Sequence, residues 1–258
     1  MEISPIYDQL FGALDIPWNH WGLALFGAFL LGLTKAGING IAVMSVTLMV
    51  LAFGGRASTG ILLPMLIVGD IMAVWYYHRH TQWKHLYKLM PWMVVGILVG
   101  VFTGKDLPED LFRIGMGAII IISLGIMIWW EKKDSKEVPD KWWFAGITGL
   151  LAGFTTMVGN LAGAFSNLYF LAMRLPKQHF IGTGAWLFLI INVFKVPFHV
   201  FVWETISWET FAINLRLIPG IVAGFVLGVA LVKKIREKKY RQLIILLTGV
   251  GALLIFIL

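Results

Sequence analysis

"LLGLTKAGINGIAVMSV", residues 30–46, has the apolar density of a membrane span, yet Lys35 stands in its middle among three glycines and an asparagine. A lipid-facing helix needs about 20 predominantly apolar residues in a row, with its backbone polar groups satisfied internally. A cation next to helix breakers meets neither demand. It does suit the turn of a helical hairpin enclosed by protein or by a water-filled cavity, where irregular backbone survives at membrane depth.

The surroundings of that stretch are those of a membrane protein. The 258-residue chain is 59% hydrophobic and 14% charged. Apolar segments fall near 20–34, 38–53, 59–77, 86–103 and 111–130, and again near 142–157, 160–173, 181–203, 210–231 and 241–258. This pattern predicts an all-α polytopic membrane protein, a single transmembrane domain over 1–258. Tryptophans gather at segment ends (Trp18, Trp21, Trp129, Trp130, Trp142, Trp143, Trp203, Trp208), as in the aromatic belts of membrane proteins. The net charge of +7 lies mostly in short loops, so membrane lipids and not nucleic acid are the expected surroundings. The absence of cysteine excludes disulfides and thiolate metal sites, and neither a cofactor nor a metal is expected. Residues 1–19 carry Glu2, Asp8 and Asp15 and no Lys or Arg, which reads as an external lead-in and not a cleaved leader.

The two sets of segments repeat. An offset of 122 pairs Gly27 with Gly149, Thr34 with Thr156, Gly37 with Gly159 and Asp70 with Asn192, and further on an offset of 128 pairs Pro91 with Pro219, Gly96 with Gly224 and Gly100 with Gly228. Repeat 1 is thus 20–130, the linker 131–141 and repeat 2 142–258. Lys and Arg counts decide the orientation. With 20–53 and 142–173 as single kinked spans, alternate loops carry eight against eleven, which is no bias. With each as a hairpin leaving on the side it entered, one side carries fifteen and the other four. The positive-inside rule selects the second arrangement, with inverted repeats and both termini outside the cytoplasmic (inner) membrane. Hairpin arms of about 13–17 residues reach roughly 20–25 Å, short of the roughly 30 Å hydrocarbon core, so each hairpin is expected to be re-entrant.

Inverted repeats with broken helices place the substrate site near the membrane midplane. The tips "TKAGING" (34–40) and "TTMVGNLAG" (155–163) each precede a new helix, whose free N–H groups and positive dipole end suit an anion. The expected substrate-binding residues are Thr34, Lys35, Gly37, Asn39, Thr155, Thr156, Gly159 and Asn160, joined by Asn192 and Lys195 from a facing helix. The glycines also have a plain packing role open to them. Asp70 is the proton-coupling candidate, and Asp70 and Lys195 could equally pair with one another as a structural ion pair. His78, His80 and His85 read as a solvated basic loop, and His199 as a residue on an exit path. No phosphate loop, nucleophile elbow or catalytic carboxylate pair is present, so the expectation is a secondary transporter of a small anion by alternating access. An anion channel is the first alternative, a polytopic membrane enzyme the second, and a homo-oligomer is compatible with any of them.

Over nearly its whole length the chain resembles the sulfite exporter TauE/SafE family. The likeness rests on the Gly-interrupted first segment of each half, "RASTG" (56–60) matched by "HFIGTGA" (179–185), "NVFK" (192–195), Trp83, and the paired Pro–Gly–Gly helices. Family tips often carry a glycine run followed by a proline. Here they read "GINGIAVMS" and "GNLAGAFSN", with Lys35 added. The resemblance implies an integral membrane transporter for small sulfur-containing anions, sulfite or a larger organosulfonate.

Overall fold

A computed structural model describes residues 17–105, positions 108, 111, 118, 122 and 125, and residues 141–237, 239–240 and 242–247. The span expected at 111–130, the linker at 131–141 and the N-terminal lead-in lie almost wholly outside the described residues, as does the end of the span expected at 241–258. The described part is all helix: α1 (Trp18–Lys35), α2 (Ala42–Phe53), α3 (Gly55–Tyr77), α4 (Trp83–Gly104), α5 (Trp142–Gly159), α6 (Gly163–Ala172), α7 (Lys177–Phe201) and α8 (Trp208–Lys234). Among the described residues five helical stretches are long and apolar enough to cross a membrane: Gly55–His80, Trp83–Gly104, Trp142–Gly159, Lys177–Phe201 and Trp208–Lys234.

Local chemistry accounts for the helix ends. Pro17 and Pro176 precede α1 and α7, and α8 opens on a capping box in which Ser207 and Thr210 exchange side-chain-to-backbone hydrogen bonds. α1 stops where Gly37, at φ +113°, turns the chain so that the Ile38 N–H reaches the Leu33 carbonyl at 3.1 Å, a left-handed helix end of the kind glycine favours. α5 stops at Asn160, at φ 56°, the other residue type that tolerates this conformation. The hairpins are lopsided. Their first arms, α1 and α5, have 18 residues each, about 27 Å, longer than expected from sequence. Their second arms, α2 and α6, have only 12 and 10. The first helices outlast the apolar run because the first true breakers come after Lys35 and Gly159.

Glycines set the packing. α1 lies against α8 so closely that a Cβ on Gly32 would fall 2.1 Å from the Ile221 carbonyl oxygen, and one on Gly224 2.0 Å from that of Phe29. α5 lies against α4 in the same way, with Gly153 at 2.0 Å from the Met93 oxygen and Gly96 at 2.1 Å from that of Leu150. α3 and α7 run antiparallel. Gly60, near the start of α3, meets Thr205 beyond the end of α7, and Gly182, near the start of α7, meets Tyr77 at the end of α3. The hairpin tips lie toward opposite ends of α3. The Tyr77 hydroxyl donates to the Ala36 carbonyl at 2.9 Å, whereas the Asn160 amide donates to the Thr59 carbonyl at 3.1 Å.

Candidate functional site

At the first tip the buried Lys35 ammonium lies 2.5 Å from Asp70 Oδ1, on the middle of α3, and 5.1 Å from the centre of the Phe188 ring. Asp70 is 0% exposed, and its second oxygen accepts from Asn192 Nδ2 at 2.7 Å. The carboxylate thus ties the tip to α3 and α3 to α7. Thr34 donates back to the Leu30 carbonyl at 3.0 Å. Tyr240, beyond α8, donates to the Gly37 carbonyl at 2.7 Å and accepts from Asn39 Nδ2 at 3.3 Å.

At the second tip the lysine comes from the other side. Lys195, on α7 and fully buried, donates to the Thr156 carbonyl at 2.9 Å, to Thr156 Oγ1 at 3.0 Å and to Asn160 Oδ1 at 2.7 Å. Three acceptors match the three N–H donors of an ammonium group. The mutual pairing of Asp70 with Lys195 open from sequence is therefore not formed: each finds a nearer partner on a hairpin tip.

Two small cavities lie at the first tip, and one of them reaches the second. The larger, about 50 Å³, is lined by Gly40 and Ala42 at the start of α2 and by Ala162 and Gly163 at the start of α6, together with Lys35, Thr156, Asn160 and Asn192. The smaller, about 30 Å³, takes in Gly37, Asp70, Phe180 and Ile181. Both share Thr34, Lys35, Asn39, Asn167 and Phe188. Each has room for a few water-sized groups. Neither α2 nor α6 has a side-chain cap at its N-terminus. The first backbone bonds of these helices are Ser45 N–H to the Ile41 carbonyl and Ser166 N–H to the Ala162 carbonyl. The N–H groups before them are the orphan donors of two helix starts, both at the wall of the larger cavity.

Of the residues singled out from sequence, Thr34, Lys35, Gly37, Asn39, Asp70, Thr156, Asn160 and Asn192 line one or both cavities. Lys195 lines neither but holds two residues that do. Thr155 turns inward, donating at 2.8 Å to the Leu151 carbonyl, and Gly159 ends α5; neither lines a cavity. His199 is fully buried, with Nδ1 2.8 Å from Thr205 Oγ1, and lines neither cavity. His78 and His80 are exposed, and His85 lies 3.2 Å from the Tyr169 hydroxyl. Sequence reasoning missed Asn167, Phe188 and Tyr240. Asn167 had a signal, an amide one turn into a largely apolar helix; Tyr240, some 200 positions from its partner Asn39, had none.

The family model for the sulfite exporter TauE/SafE family matches residues 23–255, nearly the whole chain. No curated protein and no solved structure matches it. Proteins of that family are membrane transporters and not enzymes, and the buried polar cluster between apolar, membrane-length helices is what such a carrier needs. The chain is a multi-pass membrane protein and belongs to the sulfite exporter TauE/SafE family.

Proposed function

We propose that the chain is a secondary transporter that carries a small sulfur-containing anion, sulfite-like or an organosulfonate, across the cytoplasmic membrane by alternating access of two inverted repeats. The observation that carries this reading is the convergence of two uncapped helix starts and the Lys35 ammonium on one cavity. Helix N-termini bind anions through free N–H groups and the positive dipole end, and among the described residues no side chain caps these two starts. The cluster also holds two buried lysines against one buried carboxylate, an excess of positive charge that a bound anion would balance.

Twin packing supports the repeat. The contacts of Gly32 with Ile221 and of Gly224 with Phe29 recur as Gly153 with Met93 and Gly96 with Leu150. They relate the first arms by an offset of 121 (Gly32 to Gly153) and the later spans by 128 (Gly96 to Gly224). The antiparallel run of α3 and α7 and the opposed tips agree with inversion. Asp70 stands as the coupling residue because it competes with the substrate for Lys35: a proton on the carboxylate would release the ammonium to the anion.

Purified protein in liposomes should exchange labelled sulfite saturably and without unitary currents, with transport stimulated by an imposed proton gradient. Unsaturable flux with single-channel currents would instead identify an anion channel. Transport in Lys35→Met/Asp70→Asn and in Lys195→Met indistinguishable from wild type would remove the anion-site assignment.

A further inference from the structure

The buried polar groups around the cavities are mostly paired: Asp70 with Lys35 and Asn192, Lys195 with Thr156 and Asn160. Asn167 is different. It projects from α6 one turn beyond Gly163, is only 4% exposed, and lines both cavities. Its side-chain oxygen Oδ1 is buried and has no hydrogen-bond partner among the described residues. Leaving such an acceptor unmade is unfavourable; of the three buried side-chain atoms without a partner among the described residues, His199 Nε2 and Asn214 Oδ1 belong to residues that line neither cavity, and Asn167 Oδ1 to one that lines both. At the shared wall of two cavities the simplest partner is a donor supplied by the ligand.

The chemistry then narrows. The helix starts and Lys35 offer donors to a negatively charged head. Asn167 Oδ1 offers only lone pairs. An anion whose polar atoms are all acceptors satisfies the first group and leaves Asn167 Oδ1 without a partner. We infer that Asn167 is a specificity-determining residue whose Oδ1 accepts a hydrogen bond from an O–H or N–H of a bound anion. The site thereby favours hydrogen sulfite, or a sulfonate bearing a hydroxyl or amine, over donor-free anions of the same size. This rests on the anion-site reading given above.

The test compares two near-isosteric ligands, 2-hydroxyethanesulfonate and propane-1-sulfonate, by equilibrium binding to the purified full chain, with hydrogen sulfite as a third probe. Wild type should bind the hydroxylated sulfonate at least about tenfold tighter than its methyl counterpart, the scale of discrimination lost when a buried polar group goes unpaired. In Asn167→Leu the ratio should fall to within about twofold. If that variant is not monodisperse, Asn167→Ala is read in the same way. Equal wild-type affinities for the pair, or a ratio unchanged in the variant, overturn the inference and leave the anion site standing. If wild type binds hydrogen sulfite but neither sulfonate, Asn167→Leu should weaken that binding about tenfold, and an unchanged affinity overturns the inference. If wild type binds none of the three, the anion-site reading itself fails.

Discussion

Lys35 and Lys195 are the same residue type held in opposite ways. Lys35 sits on a tip and reaches a carboxylate on a span; Lys195 sits on a span and reaches neutral acceptors on a tip. Their removal therefore has unequal consequences. Lys35→Met strands the buried Asp70 charge and should cost about 3–5 kcal/mol, visible as a large fall in thermal unfolding temperature in detergent. Lys35→Met/Asp70→Asn should recover most of that stability without recovering anion binding. Lys195→Met leaves three acceptors unmet but no unpaired charge, and the loss should be smaller, about 1–3 kcal/mol. Equal losses in the two single variants would contradict the pairing. That both lysines would be buried with partners was legible from sequence, because charges at membrane depth are rare and expensive. Which acceptor each one takes was not. It depends on how α1 and α7 are rotated about their own axes, and hydropathy carries no record of that.

Most of the helix limits follow from the sequence because lipid imposes them: the segments expected at 59–77 and 86–103 are α3 and α4 to within a few residues at each end. The glycine interfaces are a different matter, since a glycine in an apolar run reads the same whether it faces lipid or a neighbouring backbone. Gly224→Ala brings a methyl group 2.0 Å from the Phe29 carbonyl oxygen, and α1 and α8 must part to admit it. Overpacking of this kind costs about 1–3 kcal/mol or more. Gly22→Ala meets nothing within 4 Å and should leave the unfolding temperature unchanged or slightly raised. A similar response of the two variants would mean that α1 does not lie on α8 as described. The first tip is clamped by two hydroxyls, Tyr77 on Ala36 and Tyr240 on Gly37. Tyr240→Phe frees the Gly37 carbonyl and the Asn39 amide together, and peptides covering 36–40 should then exchange their amide hydrogens faster, with peptides from α4 unaffected.

Each tip is fastened to the long helix that follows its hairpin, Lys35 to Asp70 on α3 and Asn160 to Lys195 on α7. The proposed inverted arrangement has a direct check, since the chain contains no cysteine. Arg79→Cys, in the turn after α3, and Glu209→Cys, in the first turn of α8, are both exposed. An impermeant maleimide applied to intact cells should label Glu209→Cys and spare Arg79→Cys. Labelling of both from one side would return the hairpins to ordinary spans.

Two buried lysines facing one buried carboxylate have a last consequence, in membrane voltage. On the proposed mechanism the empty site, with Asp70 ionised, carries one formal positive charge, and the step in which the empty carrier changes sides would move that charge through the membrane field. A bound monoanion would cancel it only where Asp70 stays ionised; where the coupling proton enters with the anion, the loaded step carries the charge as well. A full traverse of one charge is worth about 2.3 kcal/mol per 100 mV. Voltage jumps on the substrate-free protein should evoke transient charge movements, which fade at saturating anion if the anion crosses without the proton and persist if the two cross together.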